Sequence, residues 1–346
     1  MTPIEQEIAR QRARLLAIER KQTAEITRAY GVVAARLIRD LRGLSEQIEQ
    51  ARERGAEVRP GWLFAQDRFR RLLADLREHT ALFLERSART VTATQRAAVQ
   101  EAFDDGKRLA RLALGPAPKD TVLRVTGAWD RMPTAALDTF IGRASDGTPL
   151  GDLMAEVAPL APERVRDALA YGVATGRSPR EMTREVQAAS LVSRNRALVI
   201  ARTEVISAHR EAVTDTWQKT GIVQQWRWSC AKDTRTCAAC WAQDGTTHPI
   251  DEPMGSHPCC RCARIPDTPS WAELGFAGIP DGRPRLPAGA DVFAALPDED
   301  KLVIIGRAKL EAYNRGEITL DDLVQHTHSD RWGRGIRVAS LAEALA

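Results

Sequence analysis

The chain has 346 residues, of which 43% are hydrophobic and 28% are charged, a globular composition that provides for one core of several layers or two modest domains. The 50 basic and 46 acidic residues are interspersed and leave a net charge of +4. This balance is too small to indicate a nucleic-acid partner by itself.

The sequence also argues against a membrane protein. It contains no run of about 18 uncharged apolar residues, the length that a membrane-spanning helix needs. Its first thirty residues alternate charges with aliphatics, whereas a signal peptide has a continuous apolar stretch. We therefore expect neither a membrane span nor export by the general route.

The N-terminal part is predicted to be helical. Aliphatic residues recur at helical spacing from residue 2 to about 54, which predicts one or two long amphipathic helices. Gly and Pro in 54–62 interrupt the pattern, and a second helical block follows. The apolar face of these helices either packs within the chain or forms a projecting arm that docks on a partner. We favour the arm, since recruitment into a larger assembly would use such a face.

Two further helices are predicted before the cysteine-rich part. Ser178 has the position of an N-cap, with Pro179 at the first helical position and Glu181 at the third. A separate long helix is predicted over 193–221, with Ser193 as its cap and Gly221 as its stop. The β-branched and aromatic residues of 222–230 then predict a strand.

These patterns predict a mainly α-helical chain with long N-terminal helices and a small α+β domain ordered by zinc. The predicted segments are a helical N-terminal region (1–120), a linker with short helices (121–150), the domain with the metal segment (151–270) and a helical tail (271–346). The tail has the pattern of helices and loops and carries no recognisable catalytic constellation.

The cysteines are concentrated in one stretch. Five of the six lie between Cys237 and Cys262, in a segment rich in Pro and Gly, and none occurs in 1–229 or 263–346. A secreted protein of this size would be expected to distribute its disulfides along the chain. The clustering therefore favours a metal site over a disulfide framework.

The spacing within this stretch predicts a structural zinc site. Cys237 and Cys240 are separated by two residues, so one tight turn can present both thiolates to one ion. His257, Cys260 and Cys262 form a second compact turn. We predict Cys237, Cys240, His257 and Cys260 as ligands, with Cys262 as the substitute for one of the last two. Cys259 diverges from its neighbour, and Cys230 is predicted to be a packed thiol.

Three other interpretations of the cysteines stay open at this stage: disulfides formed on oxidation, a catalytic zinc and a reactive thiol. Asp251 and Glu252 could serve a catalytic zinc as bases, but they match no hydrolase signature. Trp226, Trp228 and Trp241 flank the cysteines and are predicted to form the local core rather than a base-stacking platform.

The stretches IARTEVISAHREA, WRWSCAKDTRTCAACWAQDGTTHPI and HPCCRC together resemble the phage Mu F-like family of minor head (head morphogenesis) proteins. Residues 202–204, 233–240, Gly245 and 257–262 match the family pattern in order. Two positions depart from it, because His209 and Cys259 stand where the family more often has Asn. The second departure adds a thiol to the closing turn and leaves the choice of ligands open. The resemblance covers about 150–270 well.

The resemblance implies a low-copy virion component without established enzymatic activity. Such a protein would affect head assembly, DNA packaging or ejection, in the head interior or at the portal vertex, after time in the host cytoplasm. It implies the portal protein, the scaffold or major capsid protein and packaged DNA as candidate partners. The rival predictions are a zinc-containing nuclease and a DNA-binding module.

Three polar residues of the matching motifs are predicted to brace the domain: Arg202, Glu204 and Asp233. Arg202 and Glu204 lie two positions apart on a helix and so point to different sides. We expect them to make ion pairs to the cysteine segment or to the preceding helix. The alternative for Arg202 is a contact with DNA phosphate.

Overall fold

The computed structural model describes residues 2–132, 134–329 and 333–346. The chain divides into two compact units. The first unit comprises Met1–Leu16, Arg96–Ile141 and Ile206–Ala346, and the second comprises Ala17–Gln95 and Gly142–Val205. Both units join stretches that are distant in sequence, and the predicted segment boundaries at 120, 150 and 270 stay predictions.

Helices dominate the described residues, which confirms the predicted mainly α fold with long N-terminal helices. The helices are α1 Pro3–Glu53, α2 Pro60–Ala65, α3 Asp67–Ala113, α4 Lys119–Thr126, α5 Leu150–Ala155, α6 Leu160–Ala174, α7 Pro179–Thr220, α8 Ala238–Gln243, α9 Gly289–Ala294, α10 Asp298–Ile305, α11 Arg307–Asn314 and α12 Leu341–Ala344. The strands are β1 Gln225–Ser229, β2 Thr247–Pro249, β3 Ala263–Asp267, β4 Val324–Ser329 and β5 Gly333–Val338.

The second unit is built from helices whose apolar stripes are buried. Within α1 this stripe includes Ile26, Tyr30, Val33 and Leu37, at the helical spacing of the sequence pattern. The Tyr30 hydroxyl donates to the carbonyl oxygen of Ser190 over 2.6 Å, and its ring packs edge-on against Phe83. The apolar face of α1 is therefore packed within the chain, which is the first of the two alternatives considered above.

Helix α7 begins where the sequence predicts and ends as predicted, but it is not interrupted. The Ser178 amide donates to Glu181 Oε2 over 2.9 Å, and the Glu181 amide donates back to Ser178 Oγ over 3.4 Å. The predicted helix start at Ser193 is wrong, because Ser193 lies inside α7 and its hydroxyl donates to the carbonyl of Val157 over 2.9 Å. No Gly or Pro occurs between 180 and 220 to break the helix.

A three-stranded antiparallel sheet in the order β2-β1-β3 forms the centre of the first unit. Trp226 on β1 is opposite His248 on β2 and Pro266 on β3. Four fully buried tryptophans, Trp217, Trp226, Trp241 and Trp271, belong to the hydrophobic core of this unit. Trp217 donates from Nε1 to the carbonyl of Gly106 over 2.9 Å, and a Cβ atom on Gly106 would lie 2.9 Å from Thr216 Cγ2. Glycine at 106 therefore lets α3 approach α7 closely.

The C-terminal tail contains a β-hairpin that the sequence interpretation of helices and loops missed. β4 and β5 pair antiparallel, with His326 opposite Ile336. Four of the six residues of β4 are exposed, so the strand shows no alternation of apolar and polar residues. Among the described residues of the hairpin, only Ile336 is deeply buried. Among the residues described, no helix has both the length and the apolarity to cross a lipid bilayer.

Candidate metal centre

The first pair of candidate ligands is positioned by a turn and the short helix α8. Cys237 immediately precedes α8, and Cys240 lies in its first turn. Asp233 orders the approach, because its Oδ1 accepts hydrogen bonds from the Arg235 amide over 3.1 Å and from Thr236 Oγ1 over 2.9 Å. Burial opposes ionisation of Asp233, but these bonds and the Arg235 guanidinium outweigh it and lower the pKa of Asp233. A charged Asp233 thus shapes the first turn.

The second turn explains why Cys259 is set apart from its neighbours. The Cys260 amide donates to the carbonyl of His257 over 3.2 Å, which closes the turn. Cys259 has a φ of 62°, in the left-handed region that Asn adopts more readily than most other residues. An Asn at this position, as in the family pattern, would fit this backbone. The left-handed residue directs the side chains of Cys259 and Cys260 differently, so only Cys260 joins the candidate ligands.

Three pairs of the predicted ligands lie at distances that suit a shared metal ion. The Sγ atoms of Cys237 and Cys240 each lie 3.3 Å from His257 Nε2, and Cys240 Sγ lies 3.8 Å from Cys260 Sγ. Zinc–sulfur bonds of about 2.3 Å place two thiolates of a tetrahedron about 3.8 Å apart. Each of these pairs is therefore as close as two ligands of one zinc-sized ion.

Cys262 is a fifth donor beside this set. The ligand atoms of Cys237, Cys240 and His257 all lie within 4.8 Å of one another, and so do those of Cys240, Cys260 and Cys262. Cys240 belongs to both groups. The structure thus brings together all five residues named from the sequence, and a four-coordinate ion leaves one of them over.

The electrostatics of the cluster favour a bound cation. Hydrogen bonding from the Cys240 thiol and the nearby His257 lower the pKa of Cys237 to about 5. Bonds from Cys240 and Cys262 likewise lower the pKa of Cys260. The pKa of Cys240 is raised, because a further negative charge beside Cys237 and Cys260 would be buried with them. Without a cation the thiols cannot all ionise, whereas a divalent ion would allow them to do so.

His257 is oriented for binding through Nε2. Its Nδ1 donates to the carbonyl of Pro258 over 2.8 Å, which leaves Nε2 facing the thiols of Cys237 and Cys240. Such a bond to the second ring nitrogen is the usual support of a metal-binding histidine. The hydrogen bond to Cys237 raises the pKa of His257 to about 9, against the effect of burial.

Arg210 supports the second turn, and sequence reasoning missed it. This buried residue of α7 donates from Nε to the carbonyl of Cys262 over 3.0 Å and from one terminal nitrogen to the carbonyls of Cys260 and Cys262, over 2.9 and 2.6 Å. Its other terminal nitrogen donates to Ser256 Oγ over 3.1 Å. The forked guanidinium thus ties three residues of the turn to the helix. The sequence signal that could have identified Arg210 was its position directly after His209 in the matching motif.

Two other arginines, Arg12, which is half-buried, and Arg264, which is buried, hold the sheet beside the cluster. Arg12 of α1 donates to the carbonyl of Ser229 over 2.6 Å. Arg264 of β3 donates to Thr214 and Glu211, and its guanidinium lies 5.0 Å from the centre of the Trp226 ring. These contacts fix both strands that lead into and out of the cysteine segment.

Cys230 and the tryptophans occupy the surrounding core. Cys230 is buried and belongs to neither group of candidate ligands, and burial raises its pKa to about 12. Its amide donates to Asp244 Oδ1 over 2.6 Å. Trp226, Trp228 and Trp241 are all buried in the hydrophobic core of the first unit, which agrees with a structural role.

Arg202 and Glu204 make their contacts in the second unit, whereas the cysteine cluster belongs to the first. Arg202 forms an ion pair with Glu19 of α1. Glu204 Oε2 accepts from the Ser145 amide over 2.7 Å, and its backbone carbonyl accepts from Gln95 Nε2 over 3.2 Å. Neither residue joins the metal cluster, and the expected ion pair of Glu204 is instead a hydrogen bond to a loop.

Glu204 is a buried acid with an altered pKa. It is 1% exposed, and its Oε1 has no hydrogen-bond partner among the residues described. Burial, assisted by the nearby Asp146, raises the pKa of Glu204 to about 7 against the lowering effect of the Ser145 amide.

One known family matches this part of the chain. The family model Phage Mu protein F like protein matches residues 163–265, a range that contains Arg202, Glu204 and all five donors. This match confirms the resemblance over that segment and points to a phage head morphogenesis protein. Comparison with curated proteins and with solved structures gives no match.

The ligand set can be tested by single substitutions. We expect the zinc-loaded protein to lose its ion to a competing chelator far more readily, by more than about 100-fold, when any of the four primary donors is replaced, because each supplies a direct bond. Atomic-emission analysis after chelator titration measures this loss for Cys237→Ser, Cys240→Ser, His257→Ala and Cys260→Ser.

Three matched variants serve as controls for the ligand set. Cys230→Ala, Cys259→Asn and Cys262→Ser should keep their zinc. If Cys262→Ser lost the ion while one of the four primary variants kept it, the assignment would pass to Cys262.

Because Arg210 supports the turn that carries the candidate ligands, its substitution should weaken zinc binding indirectly. Arg210→Gln should weaken zinc binding by about 10- to 100-fold, because the carbonyls of the second turn lose their forked donor. Arg210→Lys keeps the charge without the fork and should restore little of the affinity. Competition with a fluorescent zinc chelator gives the affinities, and exposed Arg307→Gln is the control. Unchanged affinity in Arg210→Gln would refute this role.

The raised pKa of Glu204 predicts a pH-dependent stability. The native state holds the Glu204 proton at pH values where the unfolded chain has released it, so this group destabilises the fold increasingly as the pH rises from about 4.5 to 7. The free energy of unfolding of Glu204→Gln relative to wild type should therefore rise by about 1 kcal/mol between pH 6 and 8. Denaturant unfolding measures it, with exposed Glu78→Gln as the control. Parallel pH curves for wild type and Glu204→Gln would contradict the prediction.

Proposed function

We propose that the chain is a minor head protein of a tailed phage or prophage, with a structural role in head assembly, DNA packaging or ejection. The observation that carries this proposal is the Mu F-like match over 163–265 together with the cluster of Cys and His donors in the same region. The proposed location is the head interior or the portal vertex, reached from the host cytoplasm.

The proposed contribution of the metal is mechanical. Cys237, Cys240, His257 and Cys260 would hold a zinc ion, which supplies four bonds between two turns of the chain. The stretch from 244 to 259 contains few buried apolar residues, so its own packing contributes little to its order. A structural zinc contributes on the order of 10 kcal/mol of folding energy in small zinc domains, enough to fix the surface that this stretch presents.

The proposed partners are the portal protein and the scaffold or major capsid protein, with packaged DNA as a further candidate. A structural role fits the surroundings of the cluster. Arg210 donates hydrogen bonds to the turn, and the buried tryptophans pack in the core around it. The rival nuclease would need an open metal position with a base beside it.

The test of this proposal is quantitative mass spectrometry of purified particles from the phage or prophage that encodes the chain. We expect a few copies in each particle, far fewer than of the major capsid protein. Deletion of the coding sequence should reduce the yield of filled, infectious heads, and wild-type protein supplied in trans should restore it.

A matched pair of variants relates the metal to this function. Cys240→Ser should fail to restore the yield, whereas Cys230→Ala should restore it. Absence of the chain from particles and from their assembly intermediates would overturn the proposal, as would metal-dependent cleavage of DNA that His257→Ala abolishes in a folded protein.

A further inference from the structure

A polar cavity of about 490 Å³ lies in the first unit, against one face of the central sheet. Arg227 of β1 and Ile265 and Asp267 of β3 contribute to its floor, and the loop that contains Arg283 and Arg285 contributes to its wall. None of the candidate metal ligands lines it. The cavity is therefore a second site whose chemistry the metal does not explain.

Two guanidinium groups in this cavity make no hydrogen bond or ion pair with the described residues. Arg227 is half-buried and Arg285 is exposed, and neither makes a hydrogen bond or ion pair within the part of the chain that the structure describes. Arg283 differs from them, because it pairs with Asp281 through two nitrogens over 3.0 and 2.9 Å and donates to the carbonyl of Thr268 over 2.7 Å. Arg283 thus fastens the wall, while Arg227 and Arg285 remain available to a ligand.

A buried hydroxyl provides an independent indication of a ligand. Thr268 lines the cavity and is only 3% exposed, yet its Oγ1 is buried without a hydrogen-bond partner among the described residues. An unsatisfied buried hydroxyl is destabilising, and an acceptor bound in the cavity would remove this penalty.

The charges in the cavity limit the kind of anion that fits. Arg283 pairs with Asp281, and Asp267 makes no hydrogen bond or ion pair within the described ranges, although its charge helps to raise the pKa of Arg283. The available groups are therefore two guanidiniums and one carboxylate, with a balance of one positive charge. A single carboxylate matches this balance and takes forked donors well. The closely spaced phosphates of a nucleic-acid strand would bring repeated negative charge near Asp267.

We propose that this cavity binds a single carboxylate of a peptide segment, held by Arg227 and Arg285 and accepting a hydrogen bond from the Thr268 hydroxyl. The cavity volume accommodates the residues that flank such a group. Ile265, Pro266, Pro284 and Leu286 line it as well and provide apolar surface for those residues. An acidic residue or the C-terminus of a partner protein has this chemistry.

The test uses the zinc-loaded full chain and three probes: N-acetylglycine, its neutral amide N-acetylglycinamide, and a short single-stranded oligonucleotide. The side-chain Nε–Hε resonances of arginine are followed by NMR. We expect N-acetylglycine to shift the signals of Arg227 and Arg285 in a saturable way, with no shift for exposed Arg307. The neutral amide should leave all three signals in place.

Variants show whether the shifts come from this cavity. Arg227→Gln should weaken N-acetylglycine binding at least about tenfold, whereas Arg307→Gln should leave it unchanged. Arg285→Gln, at an exposed position, tests the same point if Arg227→Gln does not fold. Absence of a saturable shift, or equal shifts with the neutral amide, would overturn the proposal. Saturable oligonucleotide binding that depends on Arg227 would overturn it in favour of a nucleic-acid site.

Discussion

The constraint on which the first unit depends is the close approach of several thiol groups in a buried place. The Sγ atoms of Cys237 and Cys240 lie 3.3 Å from His257 Nε2, and Cys260 Sγ lies 3.8 Å from Cys240 Sγ. Thiolates at such distances repel one another, and burial removes the solvent that would screen them. Protons can be shared among the sulfurs, but a divalent cation satisfies all the donors together. A cation would then tie the two turns together within the apolar core that surrounds them.

Charged side chains also stabilise the backbone of the two turns that carry the thiols. Backbone carbonyls of a tight turn need donors, and the second turn has few amides to offer. Arg210 supplies its donors from α7 to Cys260 and Cys262. In the first turn Asp233 acts as an acceptor instead, because its carboxylate accepts hydrogen bonds from the Arg235 amide and the Thr236 hydroxyl. Each turn is thus shaped by one charged side chain, which also orients the candidate ligands that the turn carries.

Sequence reasoning was most successful where the signal is local. The N-cap at Ser178 is recognisable because Ser178 and its partner Glu181 lie three residues apart. The pairs of candidate ligands are recognisable because the spacing of each pair fits a single tight turn. The predicted cap at Ser193 failed because its hydroxyl bonds to Val157, a partner that no local pattern reveals. The β4–β5 hairpin escaped detection because most of β4 is exposed, so burial leaves no alternation in its sequence. Arg210 and the Arg227 cavity depend on tertiary contacts between distant segments.

Two buried sites in this chain deal with the cost of buried charge in different ways. Glu204 in the second unit is buried with no donor to Oε1 among the described residues, so burial outweighs the Ser145 amide that donates to Oε2 and raises the pKa of Glu204 to about 7. The cysteine cluster in the first unit contains several thiols that lie close together. Protonation of every thiol would neutralise the cluster but would make no use of this close approach. A single acid is neutralised at least cost by one proton, whereas a set of converging thiols is neutralised at least cost by one cation. The number of groups that converge, more than their burial, therefore decides which of the two sites is suited to a metal.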